Sequence, residues 1–241
     1  MTFKFGLLFS FSMLVAACNP QLEADPNLHI ALSPSAQPVS TALAACIPSV
    51  ENLSAILDVR YANFVDLKEV DFFIQLGEAV EEPVFAAQVA SEDIVVILHP
   101  DNELDLSKSQ LANLFSGRVQ DWSELGGQAG VVSLWVGPQS DEGRQVFEGR
   151  VLLGSPVSGA ANLATNPEDL LAAVAADKAA AGILPAAWVD ETVRAIELEV
   201  ELPVLALAAE EPSGAARQLL ACLQGEAGQA ALAELYAPLE P

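Results

Sequence analysis

The sequence predicts an α/β fold, and three observations predict it. Ile94, Val95, Val96, Ile97 and Leu98 form an unbroken apolar run rich in β-branched residues, the mark of a strand buried on both faces of a helix-covered parallel sheet. The helix after it carries its own punctuation. Ser107 can accept from the Gln110 amide while the Gln110 side chain reaches back, Leu106 can pack on Leu111, and Gly117 supplies a left-handed stop behind the apolar face of Leu111, Leu114 and Phe115. Third, strand-like and helix-like segments alternate through the rest of the chain, and about 220 residues beyond an N-terminal leader can bury a sizeable core as one or two lobes.

In chain order, Met1–Lys4 is a short polar start, Phe5–Val15 an apolar run of signal-peptide length, and Val15-Ala16-Ala17-Cys18 the small-residue pattern of a lipoprotein cleavage site. This predicts a signal peptide over 1–17, lipidation at Cys18 and a polar tether over 18–26. An ordinary secretory signal or an uncleaved anchor are the alternatives, though the run is short for a span. Each reading puts the domain outside the cytoplasm, in the periplasm or at the cell surface.

Leu28–Leu32 reads as a first strand. The turn Ser33–Pro38 then enters a helix over Val39–Cys46, with Pro48 past its end. In an open α/β sheet, ligands bind at the carboxyl end of such a strand, where the next helix presents free N–H groups. Ser33 and Ser35 are therefore either ligand donors or simple caps. Ser54–Arg60 and Val70–Gln75 read as further strands, with Gln75-Leu76-Gly77 as a second ligand-facing loop. Val84–Ala90 and Ile94–Leu98 carry the chain onward. No Gly/Ser linker intervenes, which fits a fold crossed by strands rather than loops.

Farther on, Asp121–Gly127 turns on a Gly pair, Val131–Val136 is a strand, and residues 137–144 lead into a helix running past Phe147. Asn166 caps another helix, with Pro167 at its first position and Glu168 and Asp169 in its first turn. Leu170, Leu171 and Val174 face its core, and Gly182 is read as its end. Leu202–Ala208 is a returning strand, followed by helices over Ser213–Leu223 and Glu226–Tyr236.

Ten basic against thirty-three acidic residues give a formal charge of −23, which makes nucleic acid and anionic membrane surfaces poor partners. Catalysis is poorly supplied. His29 lies inside the first strand and His99 at the end of a buried one, so no base is placed beside a serine. The nucleophile-elbow, zinc, P-loop and dinucleotide spacings are absent, so neither an enzyme nor a metal or cofactor site is predicted. Trp122, Trp135 and Trp188 read as packing.

Three stretches carry a resemblance: LFSGRVQDWSELGG after the buried strand and its Pro-Asp-Asn turn, AADKAAAGILPAAWV over Ala175–Val189, and QGEAGQAALAELYAPL over Gln224–Leu239. In these the chain resembles phosphate-type solute-binding proteins of ABC transporters. The resemblance implies a two-lobed periplasmic-binding-protein type II fold, each lobe a central sheet flanked by helices, joined by crossing strands. Residues 27–95 and 205–241 would form lobe 1 and 96–204 lobe 2. It implies a monomer that binds a small molecule, phosphate or another oxyanion, and docks on an ABC permease while a lipid anchor holds it to the membrane. The ligand set would be Ser33, Ser35, Gln75, Gln139, Ser140, Asp141 and Gly143. Cys46 and Cys222 fall in the same lobe, where they are either a disulfide or two separate buried thiols.

The chain departs from the family's pattern where the anion would sit. Counting back from Phe147, the family's Arg position is Gly137, and its Ser-Gly-Thr positions are Asp141, Glu142 and Gly143; the loop near Gln75 also lacks an Arg. A carboxylate about 4 Å from an anion costs roughly 4 kcal/mol at an effective dielectric of 20, about three decades of affinity. Arg144 either compensates or is solvated. Two function classes follow: a solute-binding lipoprotein serving a permease, or an interaction or sensor lipoprotein that no longer binds phosphate.

Overall fold

The computed structural model describes residues 27–79, 85–237 and 239. The predicted signal peptide (1–17), Cys18 and the tether (18–26) lie outside the described residues. Eight strands are described: β1 (Asn27–Leu32), β2 (Ser54–Val59), β3 (Phe72–Leu76), β4 (Phe85–Leu98), β5 (Ser133–Val136), β6 (Asn162–Leu163), β7 (Ala180–Pro185) and β8 (Arg194–Ala208). Six α-helices accompany them: α1 (Ser40–Cys46), α2 (Lys108–Phe115), α3 (Glu142–Arg150), α4 (Pro167–Ala176), α5 (Gly214–Gln224) and α6 (Glu226–Leu232).

The strands lie in the order β2-β1-β3-β8-β4-β7-β5-β6. At one end β1 runs parallel to β2 and β3, and at the other β5 runs parallel to β6 and β7. The long antiparallel pair β4 and β8 joins these two groups, so the molecule is two αβ lobes sharing two crossing strands. The pairing is irregular where the chain passes between them. Asp93 pairs with Glu201 and Val95 with Glu197, so Leu198, Glu199 and Val200 bulge opposite Ile94, with Glu199 at φ 52°.

The Ile94–Leu98 run is buried because β7 and β8 flank it on both edges and helices cover its faces. The Ser107–Gln110 capping box and the left-handed Gly117 form as the sequence predicts. Phe115 of α2 then meets Phe147 of α3 edge-on at 4.9 Å. In the first lobe, Cys46 at the end of α1 and Cys222 of α5 form a disulfide with Cα atoms 5.7 Å apart. That bond ties the helix following the first loop to the chain's last helical pair.

Some elements differ from the sequence reading. Gly182 does not end a helix: α4 stops at Ala176, and Gly182 sits in the fully buried strand β7. The Ala-rich segment favours helix locally, but burial between β4 and β5 overrides that propensity. A Cβ on Gly182 would lie 2.5 Å from Leu170 Cδ2 and 3.0 Å from Val174 Cγ2, so its missing side chain is what lets α4 seat on β7. β4 is one strand rather than two, β8 begins at Arg194 rather than Leu202, and α6 ends at Leu232 with Tyr236 in the turn beyond. Among the described residues no helix is long and apolar enough to cross a membrane.

Candidate functional site

The loops at the carboxyl ends of β1 and β5 meet between the lobes. After β1, the Ser33 amide donates to the Ile74 carbonyl (2.8 Å), which fixes the loop to β3, and the Ser33 hydroxyl accepts from the Ala36 amide (3.3 Å). Ser33 thus caps its own turn. Ser35 reaches across instead, its hydroxyl donating to Asp141 Oδ2 at 3.0 Å, and both serines are fully buried.

After β5, Asp141 is the N-cap of α3, and its Oδ1 accepts the Arg144 amide at 2.8 Å. One carboxylate therefore caps its helix and holds the opposite lobe. Gly137 makes room for it, since a Cβ there would lie 2.8 Å from both Cβ and Cγ of Asp141. Arg144 is committed nearby: Nη1 donates to the Gly137 carbonyl (2.9 Å) and Nε to Glu148 Oε1 (3.0 Å), which also accepts the Val157 amide. A Cβ on Gly143 would stand 3.3 Å from Asp141 Oδ1 and in ordinary contact, 3.4 Å, with Ile94 Cδ1, so the first turn of α3 packs on β4.

Glu142 is buried beside Asp141, and among the described residues neither of its carboxyl oxygens has a hydrogen-bond partner. The Ser33 and Ser35 hydroxyls lie near enough to favour its charge, but neither makes a bond of proper geometry. Burial, then the neighbouring Asp141 charge, pushes the Glu142 carboxyl up to about 8. Burial also raises Asp141, against the opposing pull of the Arg144 amide, the Ser35 hydroxyl and the Arg144 guanidinium. Facing both acids, the Tyr61 hydroxyl is pushed up to about 12, first by burial and then by Asp141 and Glu142.

Two further bonds close the seam: Trp188 Nε1 donates to the Ser35 carbonyl (3.2 Å), and Tyr61 Oη to the Thr165 carbonyl (3.0 Å). Glu92 in β4 supports the first of these. Its carboxyl accepts the Ala187 amide (3.3 Å) and the Asp93 amide (2.9 Å), which holds the turn carrying Trp188. Burial raises Glu92 to about 8.

The structure brings together Ser33, Ser35, Asp141 and Gly143. Gln75 and Ser140 line an adjoining cavity of about 990 Å³, where Gln75 Nε2 donates to the Glu78 carbonyl (2.8 Å) and so shapes its own turn. Gln139 stands apart from this group: it is exposed, and its carbonyl accepts from Gln145 Nε2. Its place in the loop reads as a ligand position, but the backbone aims it outward. Tyr61, Glu92 and Trp188 are site residues that the sequence reading did not assign. Their partners lie about 90 or more positions away in the chain, so no local signal marks them.

Among the described residues neither histidine is bonded to a serine. His29 Nδ1 lies 3.2 Å from the Glu69 carbonyl, and His99 Nδ1 accepts the Asp101 amide, both away from Ser33 and Ser35. Among the described residues no group of three His, Cys, Asp or Glu is placed to hold a metal ion. What the cleft offers is recognition by acceptors.

Two αβ lobes, crossed by two strands and meeting at strand-end loops, are the architecture of a two-lobed binding protein. The family profile described as the PBP superfamily domain matches residues 65–235, well over half the chain, and the chain belongs to that superfamily. The phosphate-binding protein PstS of Bacillus subtilis (strain 168) is 26% identical over 181 residues, covering 64% of this chain and 60% of that protein. The chain thus aligns with less than two thirds of that relative's length. Among solved structures, a phosphate ABC transporter substrate-binding protein with bound phosphate from Clostridium perfringens superposes with a TM-score of 0.81 at 16% identity, covering 89% of this chain and all of that one. An ABC-type phosphate transport receptor from Vibrio cholerae gives 0.65 at 15% identity, with coverage of 88% and 100%. The reduced OxyR regulatory domain from Pseudomonas aeruginosa gives 0.58 at 16%, with coverage of 83% and 97%. At these identities the likeness is one of fold, and the fold serves both transport receptors and a regulatory domain.

Proposed function

We propose that the protein is an extracytoplasmic solute-binding lipoprotein, anchored through Cys18, that closes two lobes on a small molecule and presents it to an ABC permease. It acts as a monomer and binds rather than catalyses. Lobe 1 would comprise residues 27–95 and 205–241 and lobe 2 residues 96–204, joined by the crossing strands β4 and β8. The observation that carries the reading is the Ser35–Asp141 hydrogen bond at 3.0 Å, which joins the ends of β1 and β5 where such folds gather their ligand.

The same bond argues against free phosphate as the ligand. Asp141 already takes the Ser35 hydroxyl, and Glu142 adds a second carboxyl beside it where the family's pattern has donors, so an incoming dianion would find the Ser35 hydroxyl already engaged. Gly137 supports this view. An Arg there, as the family resemblance would have it, would collide with Asp141, so the two departures from the phosphate pattern belong together.

The carboxylates in the cleft also favour a second reading, a binding-protein fold kept as an interaction or sensor lipoprotein. Titration calorimetry against anions, amines and neutral solutes, followed in parallel by Trp188 fluorescence with Trp188→Phe as control, separates the two. One solute class binding one-to-one with a Trp188 response supports the transport reading; silence toward the whole panel supports the second. Anchoring is tested by Cys18→Ala, which releases the domain from membranes if Cys18 is lipidated; a variant that stays attached contradicts it.

A further inference from the structure

The cavity beside Asp141 is far larger than an inorganic oxyanion requires. At about 990 Å³ it stands at the upper end of small-molecule sites, and Leu67, Leu76 and Val146 give it apolar walls. The acids at the start of α3 are closed to a ligand there. Both Glu142 carboxyl oxygens are sealed from solvent, and Asp141 is taken by the Ser35 hydroxyl and the Arg144 amide. The charge that a solute can reach lies elsewhere in the lining, on four exposed side chains: Asp66 and Lys68 after β2, Glu78 after β3 and Arg150 at the end of α3. Among the described residues none of the four is in an ion pair, whereas Arg60, Arg144, Lys178 and Arg217 each have an acidic partner. Asp66 Oδ1 accepts the Lys68 amide (2.9 Å), and Arg150 Nη1 reaches the Glu201 carbonyl at 3.4 Å. Neither bond cancels a charge.

Two acids and two bases around an apolar floor match a solute that carries one charge of each sign. A free anion would leave Asp66 and Glu78 facing like charge, and the whole-chain charge of −23 would hold it off at long range. A free cation would meet Lys68 and Arg150 in the same way. We propose that the cavity takes an organic zwitterion with an apolar body, the chemistry of a short peptide with free ends. Its carboxylate goes to Lys68 and Arg150, its ammonium to Asp66 and Glu78, and its side chains to Leu67, Leu76 and Val146. The Asn63 amide and the Ser140 hydroxyl, in the same lining, supply donors and acceptors for its peptide group. Such a solute has no net charge to be repelled, and its two ends are read only at short range. The proposal rests on the solute-binding reading and names the solute class for that cavity.

The test is calorimetry at pH 7 and low salt with leucyl-leucine, its N-acetyl form, which lacks the ammonium, and its C-terminal amide, which lacks the carboxylate. Saturable one-to-one binding of the free dipeptide is expected, with each capped form weaker by about fivefold or more, the worth of an ion pair at an exposed rim. Lys68→Gln with Arg150→Gln should weaken the free dipeptide by a similar factor without weakening the amide. Asp66→Asn with Glu78→Gln should do the same without weakening the N-acetyl form. All four side chains are exposed, so both variants fold as the native chain does, which an unchanged thermal midpoint checks. Equal affinity for free and capped dipeptides, or charge variants that bind the free dipeptide as the native chain does, overturns the proposal and leaves the solute-binding reading standing. Silence toward all three dipeptides overturns it too; phosphate or another solute then binding one-to-one keeps that reading, and silence there as well counts against both.

Discussion

Where β1 ends, Ser33 and Ser35 bring hydroxyls to the cleft; where β5 ends, Asp141 and Glu142 bring carboxyls. Both loops pass from a buried parallel strand into a helical turn, and they face each other across the same seam. A cleft built for an oxyanion needs donors from both sides. Here donors on one side meet acceptors on the other, so the loops satisfy each other through the Ser35–Asp141 bond. Position in this fold therefore says where a ligand goes, and the side chains at two short turns decide which ligand it can be.

Loosening each lobe separately sharpens the comparison. In the first lobe, Cys46→Ala with Cys222→Ala frees α1 from α5 and removes a cross-link spanning 176 positions, at an expected cost of about 3 kcal/mol by chemical denaturation. The counterpart in the second lobe is Gly182→Ala, whose new methyl group presses on Leu170 and Val174 and should cost about 2 kcal/mol in the same measurement. A loss under about 0.5 kcal/mol in either variant would mean that lobe does not lean on the contact assigned to it.

The acids of the second loop predict a pH dependence. Glu142 titrates at about 8 in the fold against 4.5 for the free side chain, and Glu92 behaves alike. Between these values the folded protein keeps protons that the unfolded chain has released. Stability is therefore fully present below about pH 4.5 and is lost as pH rises toward 8, with a slope approaching about 1.4 kcal/mol per pH unit for each group. Glu142→Gln should remove one group's share of that slope; an unchanged slope would show that Glu142 is not held protonated. The smallest effect belongs to Ser35→Ala. It deletes one cross-seam hydrogen bond and should cost about 1 kcal/mol by denaturation, while the Trp188 bond to the Ser35 backbone carbonyl is kept.

How legible these features were in the sequence depends on the range of the forces behind them. The Ile94–Leu98 strand, the Ser107–Gln110 box, Gly117 and the Asn166 cap are written within a few residues of where they act, and all appear in the fold. β7 was misread because Ala180 and Ala181 carry helix propensity, whereas their neighbours in space, Leu98 and Leu134, are far away in the chain. The continuity of β8 was missed because its first half alternates buried and exposed residues while its second half is mostly apolar. In the site, the turns holding Ser35 and Asp141 could be read as strand-end loops. That Ser35 meets Asp141 could not, because it depends on the crossing strands bringing together residues 106 positions apart.

Carboxyls at the start of α3 stand where an oxyanion would need donors. Calorimetric titration with inorganic phosphate at pH 7, on the native chain and on Asp141→Ser/Glu142→Gln, tests it most directly. The native protein should show no saturable heat up to millimolar phosphate, and the double variant should gain about three decades of affinity. Micromolar binding by the native protein, left unchanged in the variant, would contradict the account.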